Sequence, residues 1–242
     1  VWLNVTDKVF IPNDGVFVHS KVNGKNATVT IETEVENKNL QPSNAVVYSI
    51  ITDRNGKQLA KTSEQKVPLS VFGKATIKQN LNLNNVTFWS LENPYLYKVI
   101  SVVKSGNQMV HQKKTRFGIK TVKFDSKEGF FLNGKKIKIQ GTNNHQDHAG
   151  IGSALPDFMQ YYRIKLLKEM GSNAYRASHN APTTELLEAC DSLGMLVVDE
   201  QRLLNSRPEY IDQFKRILKR DRNHASVFLW SIGNEEQNIQ GN

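Results

Sequence analysis

The residues with the most evident chemistry lie in FLWSIGNEEQ, 228–237. An apolar run breaks at Gly233 and delivers Asn234, Glu235 and Glu236. A Glu at a strand end suits general acid/base work, because partial burial raises a carboxyl pKa toward the working pH. The same Glu could instead cap a following helix. Asn234 can hydrogen-bond a substrate hydroxyl or merely close a turn, and Glu236 reads as a surface residue. Three earlier apolar runs end in the same manner: in Asn143, Asn144 and His145, in Arg176, Ser178 and His179, and in Asp199 and Glu200.

Each of these has a plainer reading. His145 and His179, both flanked by Asn, could hold a polar substrate or a metal, or be satisfied structural histidines. Gathered at one rim with Glu235, they read as substrate-binding. Neither HExxH nor a Cys/His cluster is present, so metal spacing is weak. Arg176 inside a strand is costly to bury unless paired. Its partner is either Asp199 or Glu200, in a structural salt bridge, or a carboxylate beyond residue 242.

The elements that must position these residues change rhythm along the chain. Residues 1–117 alternate with period two: in ATVTIETEV (27–35), Val29, Ile31, Thr33 and Val35 share one side. VVYSIITD (46–53) and YLYKVISVV (95–103) follow, with Asn23-Gly24 and Asn55-Gly56 as turn signals. No helix is evident there, and the spacing predicts an antiparallel, immunoglobulin-like β-sandwich. Residues 118–242 alternate apolar strands with amphipathic helices. Strands are predicted at 136–145, 173–178, 195–200 and 227–233, and helices at 156–171, 183–194 and 208–224. That pattern makes a parallel sheet covered by helices. An open doubly wound sheet would use one switch-point crevice with a Gly-rich phosphate turn, and no such motif is present. A (β/α)₈ TIM barrel gathers every strand's C-terminal end at one pocket. The expectation is the first four βα units of such a barrel, incomplete.

Composition narrows the classes further. Of the 242 residues, 38% are hydrophobic and 23% charged, a globular balance. No apolar run approaches a membrane span, so no membrane partner is expected. The net charge of +9 invites a nucleic-acid reading. The lysines are scattered, however. Their densest clusters (Lys135, Lys136, Lys138; Lys215, Arg216, Lys219, Arg220, Arg222) lack interleaved aromatics. They read as solvated surface, with no nucleic acid bound. Cys190 is the single cysteine and sits at helix spacing, which suits a buried structural thiol. VWLNVTDKVF is strand-like and not a leader, so residue 1 reads as a cut point.

Together LENPYLY (91–97), RFGIKTVKF (116–124), GFFLNGKKIKIQGTNNHQDH (129–148), NAYRASHNAPTTELLEACDSLGMLVVDE (173–200) and DRNHASVFLWSIGNEE (221–236) resemble the glycoside hydrolase family 2 β-glycosidases, above all β-galactosidases. The resemblance implies that this chain is the immunoglobulin-like domain plus the N-terminal half of the catalytic barrel of a longer enzyme. It implies hydrolysis of terminal β-D-galactosides by double displacement. Glu235 is then the acid/base and Asn234 holds the sugar 2-hydroxyl. His145, His179 and Asn144 are sugar-binding, and Arg176 positions the nucleophile, a Glu beyond this chain. Glu200 remains a remote candidate for that nucleophile.

Where some members carry a magnesium-binding Glu-x-His pair, this chain reads QRLLNSRPE; no metal and no cofactor are expected. The partners implied are a β-galactoside oligo- or polysaccharide and the rest of the parent chain, with a homo-oligomer as a further expectation. The location implied is periplasmic or secreted in a bacterium, with the cytoplasm as the alternative. Two other readings stay open: the parent is a β-glucuronidase or another family 2 β-glycosidase, or the chain by itself is inactive and acts at most as a carbohydrate-binding or structural module.

Overall fold

The computed structural model of the chain describes residues 3–235, so Glu236 lies outside the described residues. Backbone contacts divide the chain into two units: Val1–Thr87 with Leu96–Ile119, and Phe88–Tyr95 with Lys120–Asn242.

The first unit is built from antiparallel strands: β1 (Val9–Phe10), β2 (Val16–Asn23), β3 (Asn26–Asn37), β4 (Ser43–Thr52), β5 (Gln58–Lys61), β6 (Gln65–Leu69), β7 (Lys74–Leu83), β8 (Tyr97–Ser105) and β9 (Gln108–Phe117). In one sheet β3 pairs with β7 along one edge and with β2 and then β1 along the other. In the second, β4 pairs with β5 and β6 on one side and with β8 on the other, and β9 follows β8. The period-two pattern of β3 is realised as expected, with Val29, Ile31, Thr33 and Val35 all fully buried. Thr33 is the polar member of that row. Its hydroxyl donates to Ser101 Oγ of β8 at 3.3 Å, and beside it Ser49 of β4 donates to Gln79 Oε1 of β7 at 3.1 Å. Buried hydroxyls and amides persist in a core only when paired in this way, so these bonds fix which strands face one another across the sandwich.

In the second unit the strands β10 (Val122–Asp125), β11 (Gly129–Leu132) and β12 (Lys135–Lys136) form an antiparallel meander. Then come β13 (Gly141–Asn144), α1 (Asp157–Glu169), β14 (Ala174–Ala177), α2 (Thr184–Leu193), β15 (Leu196–Glu200), α3 (Pro208–Asp221) and β16 (Val227–Ser231). The last four strands pair in sequence order, all parallel. Local chemistry sets the helix ends. Thr183 caps α2 by accepting from Leu186 N, and Gly194 ends it in the left-handed region at φ 74°. Pro208 opens α3, where its missing N–H costs nothing; α3 ends at Asp221, before the 224 predicted.

One predicted strand, 136–145, is two elements. Lys135–Lys136 closes the meander, and the parallel strand begins only at Gly141. Between them the backbone turns to serve residue 173: Gln140 N donates to Asn173 Oδ1 at 2.8 Å, and Asn173 N donates to Gln140 O at 2.7 Å. Gly141 is required where the strand resumes, because a Cβ there would lie 2.2 Å from Ala174 O.

The segment Phe88–Tyr95 falls in sequence within the sandwich and packs with the second unit. Its anchor is Trp89, fully buried, whose indole N–H donates to Asp191 O at 2.8 Å while its own carbonyl accepts from Asn133 Nδ2 at 2.9 Å. The Lys120 ammonium lies 5.4 Å from the Trp89 ring centroid and donates to Ala225 O and, at 2.6 Å, Val227 O. Burial pulls this ammonium down to about 8, against the opposing charge of Asp191. Carbonyls and a π face are what a buried cation needs. Trp89→Ala is expected to cost the second unit about 3–5 kcal/mol. Urea unfolding followed in that unit should show the loss; an unchanged midpoint would exclude the anchoring role.

Candidate active site

The C-terminal ends of β13 to β16 converge on one carboxylate. Glu200, the last residue of β15, is fully buried. Its Oε2 accepts from Arg176 Nε at 2.7 Å and from the Ser231 hydroxyl at 2.9 Å; Arg176 Nη2 lies 2.6 Å from the same oxygen. Its Oε1 is 2.9 Å from His179 Nδ1. Read as an Nδ1–H donor, His179 keeps Nε2 as its acceptor nitrogen; the tautomer follows from the network. Arg176 then reaches two amides, donating to Asn143 Oδ1 at 3.2 Å and to Asn234 Oδ1 at 2.9 Å. One carboxylate thereby orders groups from all four strand ends. The His145 ring stands 5.2 Å from the His179 ring, edge to face.

Strand alternation explains this sorting. Parallel pairing sets Asn143 beside Arg176 and Asn144 beside Ala177. Tyr175 and Ala177 belong to the apolar cluster under the helices, with Ile164, Leu187 and Cys190. Arg176 therefore points to the opposite face, and the same alternation puts Asp199 and Glu200 on opposite sides of β15. Gly233 permits the last turn: a Cβ there would lie 2.8 Å from Leu204 Cβ.

Of the residues singled out from sequence, the structure brings together Arg176, His179, Asn234 and His145. Asn144 is not among them. Its amide donates to Thr142 O and Thr142 Oγ1, both at 2.8 Å, and it shares the helix side of the strand with Ala177. Asn143 takes the place on the Arg176 side. The partner of Arg176 is Glu200, the nearer of the alternatives weighed above, and the three donors on Glu200 leave it as a scaffold and not an attacking group. Glu235 follows Asn234 and is exposed. The burial expected to raise its proton affinity is not supplied by the described residues.

On the helix side stands Asp199, singled out from sequence as a strand-end residue, with two carboxylates that sequence reasoning missed, Asp191 and Asp221. Asp199 is 1% exposed and its carboxyl is raised to about 8, first by burial and then by the charge of Asp221, against the opposing charges of Arg220 and His224. Asp221 is itself clamped by Arg220, with Nε on Oδ1 and Nη2 on Oδ2, both at 2.6 Å. Asp191 accepts from Ser226 N at 2.8 Å, Ser226 Oγ at 2.7 Å and His224 Nδ1 at 2.7 Å. Burial alone would lower His224; the hydrogen bond and charge of Asp191 outweigh it, so its pKa is raised. These groups tie α2 and the end of α3 to the start of β16 on the helix side of the sheet.

Comparison with known proteins adds independent support. The model of glycosyl hydrolases family 2 matches residues 9–120, and that of the family 2 TIM barrel domain matches 122–207 and 204–241. The chain is similar to a β-galactosidase from Bacteroides ovatus, at 32% identity over 97% of the chain and 29% of that protein. It is similar to a β-glucuronidase from Formosa agariphila, at 29% identity over 91% of the chain and 23% of that protein. Among solved structures, a glycosyl hydrolase family 2 member from Bacteroides cellulosilyticus superposes with a TM-score of 0.88 at 34% identity, covering 96% of this chain and 33% of that one. The chain thus spans less than a third of the length of the two curated relatives.

Two outcomes follow from the electrostatics. Glu200→Gln removes the counter-charge from a half-buried guanidinium and should destabilise the second unit by about 3 kcal/mol, seen as a lowered unfolding midpoint. For Asp199, the unfolded chain ionises near 3.8 while the folded carboxyl holds its proton to about 8. The unfolded state therefore binds fewer protons across that window, and stability falls as pH rises through it. Asp199→Asn should flatten the slope, with its gain largest at and above pH 8 and little difference near pH 3.8. Parallel profiles for the two proteins would contradict the assignment.

Proposed function

Because the chain belongs to glycosyl hydrolases family 2, we propose that the protein containing it is a retaining exo-β-glycosidase that hydrolyses terminal β-D-galactosides, with Glu235 as acid/base. The observation that carries this reading is the tie from Glu200 through Arg176 to Asn234, at strand ends that also hold His145 and His179. It fixes the residue just before Glu235 and leaves the Glu235 carboxyl exposed, with proton transfer open to it. Retention needs a second carboxyl about 5–5.5 Å from the first, as nucleophile. Glu200 does not serve: it is fully buried and committed to three donors. The nucleophile in this proposal is a carboxylate outside the 242 residues.

In the first step Glu235 gives its proton to the glycosidic oxygen as the C1–O bond breaks and the nucleophile bonds to C1. In the second, Glu235 takes a proton from water as the water oxygen displaces the enzyme from C1. Asn234 is suited to hold the 2-hydroxyl, a contact that strengthens as charge develops at the ring. His179, with Nδ1 donated to Glu200, offers a fixed Nε2 acceptor to a sugar hydroxyl, and His145 offers a second ring. The relative from Formosa agariphila named β-glucuronidase favours a second reading, in which the substrate carries a carboxylate at C6.

Glu235→Gln in the full-length protein should lower turnover of unactivated β-galactosides by about 10²–10⁴-fold. Aryl galactosides with good leaving groups should lose less at glycosylation. Near-normal hydrolysis of the unactivated substrate would rule out the assignment. Assay of aryl β-galactoside beside aryl β-glucuronide separates the two substrate readings, and the 242-residue chain by itself should turn over neither above its Glu235→Gln variant.

A further inference from the structure

Beneath the segments that carry His145 and His179, on the helix side of β13 and β14, lies a small cavity of about 20 Å³. Gln160, Arg163 and Ser178 line it together with the apolar side chains of Tyr175, Ala177 and Leu186. It sits where α1, the N-terminal end of α2 and two strand ends meet. Two of its walls carry an unusual feature. Gln160 Oε1 and Ser178 Oγ are both buried without a hydrogen-bond partner, in residues only 4% and 2% exposed. Gln160 is the polar member of the buried face of α1, one turn before fully buried Ile164. An amide oxygen left bare among apolar groups is costly, and native structures rarely leave one so.

A group that donates to both atoms resolves the deficit, and the space limits what it can be. One water needs about 10–15 Å³ and at least two polar partners. The cavity offers room for one, and an apolar fill would leave both oxygens bare.

The same cavity touches both histidine-bearing segments. Arg163, one turn along α1 from Gln160, donates to the carbonyls of His145 at 2.6 Å and Gln146 at 3.2 Å. Ser178 directly precedes His179, and its amide N–H donates to Asn144 O at 3.1 Å. We propose that one ordered water bridges Gln160 Oε1 and Ser178 Oγ, and that Gln160 and Arg163 of α1 are positioning residues that hold His145 and His179 in register for the sugar. The positioning half of this inference rests on the reading of those histidines as sugar contacts. Neither α1 residue touches substrate. Arg163 grips one loop by its carbonyls, and Gln160 grips the other through the water.

The test uses the full-length protein and two substitutions of similar length. Gln160→Met deletes the acceptor; Gln160→Glu retains one. A high-resolution crystal structure of the unsubstituted protein should show one water within hydrogen-bond distance of both oxygens, absent in Gln160→Met and present in Gln160→Glu. An empty or collapsed cavity overturns the bridge. Kinetics on a β-galactoside should show KM raised roughly three- to tenfold in Gln160→Met with kcat within about twofold, and near-normal KM in Gln160→Glu. An unmoved KM, or equal losses of kcat in both variants, overturns the positioning role. Full activity in Glu235→Gln would instead sink the glycosidase reading, while the water bridge would still stand or fall on the crystallographic density.

Discussion

Glu200 is a carboxylate with no exposed surface, and an ion in that position must be neutralised and hydrogen-bonded or the fold cannot hold it charged. Arg176 neutralises it, and Ser231 and His179 fill its remaining acceptor positions. These donors come from β14, β16 and the loop after β14, so the ion sets the spacing of separate strand ends. Hydrophobic burial by itself would not. It is non-directional and acts on the other side of the strands, where Tyr175, Ala177 and Val197 meet α1 and α2. A directional interaction on one face and a dense apolar one on the other together fix both where the strands run and how their ends are aimed. Arg176 passes the constraint on to Asn143 and Asn234.

Adjacent residues of β15 show how environment assigns different roles to one functional group. Asp199 and Glu200 are both buried. Glu200 meets a guanidinium, a hydroxyl and an imidazole; Asp199 meets another carboxylate and holds its proton to about 8. The first is a hub that orients donors, and the second a neutral acid built into the wall. Charge patterning of this kind leaves a polar rim at the strand ends, where a ligand rich in hydroxyls finds both donors and acceptors. In the proposed mechanism that rim selects a sugar, and Glu235, standing outside the hub, is able to exchange its proton.

Much of this was legible in the sequence, for physical reasons that differ by element. The alternation of β3 and the glycine stop of α2 are local, so Val29 to Val35 and Gly194 could be read directly, while Thr183 proved to be the cap and not the first residue of the helix. The break at 137–140 was not readable, because it answers to Asn173, far along the chain. The choice between Asn143 and Asn144 turns on parallel register, which no local pattern encodes; only the pairing with Arg176 and Ala177 decides it. Phe88–Tyr95 reads as one more stretch of sandwich, and its place with the second unit depends on what buries Trp89. The exposure of Glu235 likewise depends on what packs around it and not on its own neighbours in sequence. The strand-end cluster was legible as a set, since polar residues after apolar runs in a β/α repeat gather at one face, but its centre was not. Glu200 looked like an understudy for catalysis and is the scaffold.

The most direct test is a double-mutant cycle between Arg176→Gln and His179→Gln, read as unfolding free energy of the second unit. The two side chains bind opposite oxygens of Glu200. If that carboxylate is the common support, their losses will be non-additive by about 1 kcal/mol or more. Additivity to within about 0.3–0.5 kcal/mol would mean that the strand ends are held independently, and the account of Glu200 as their organiser would be wrong.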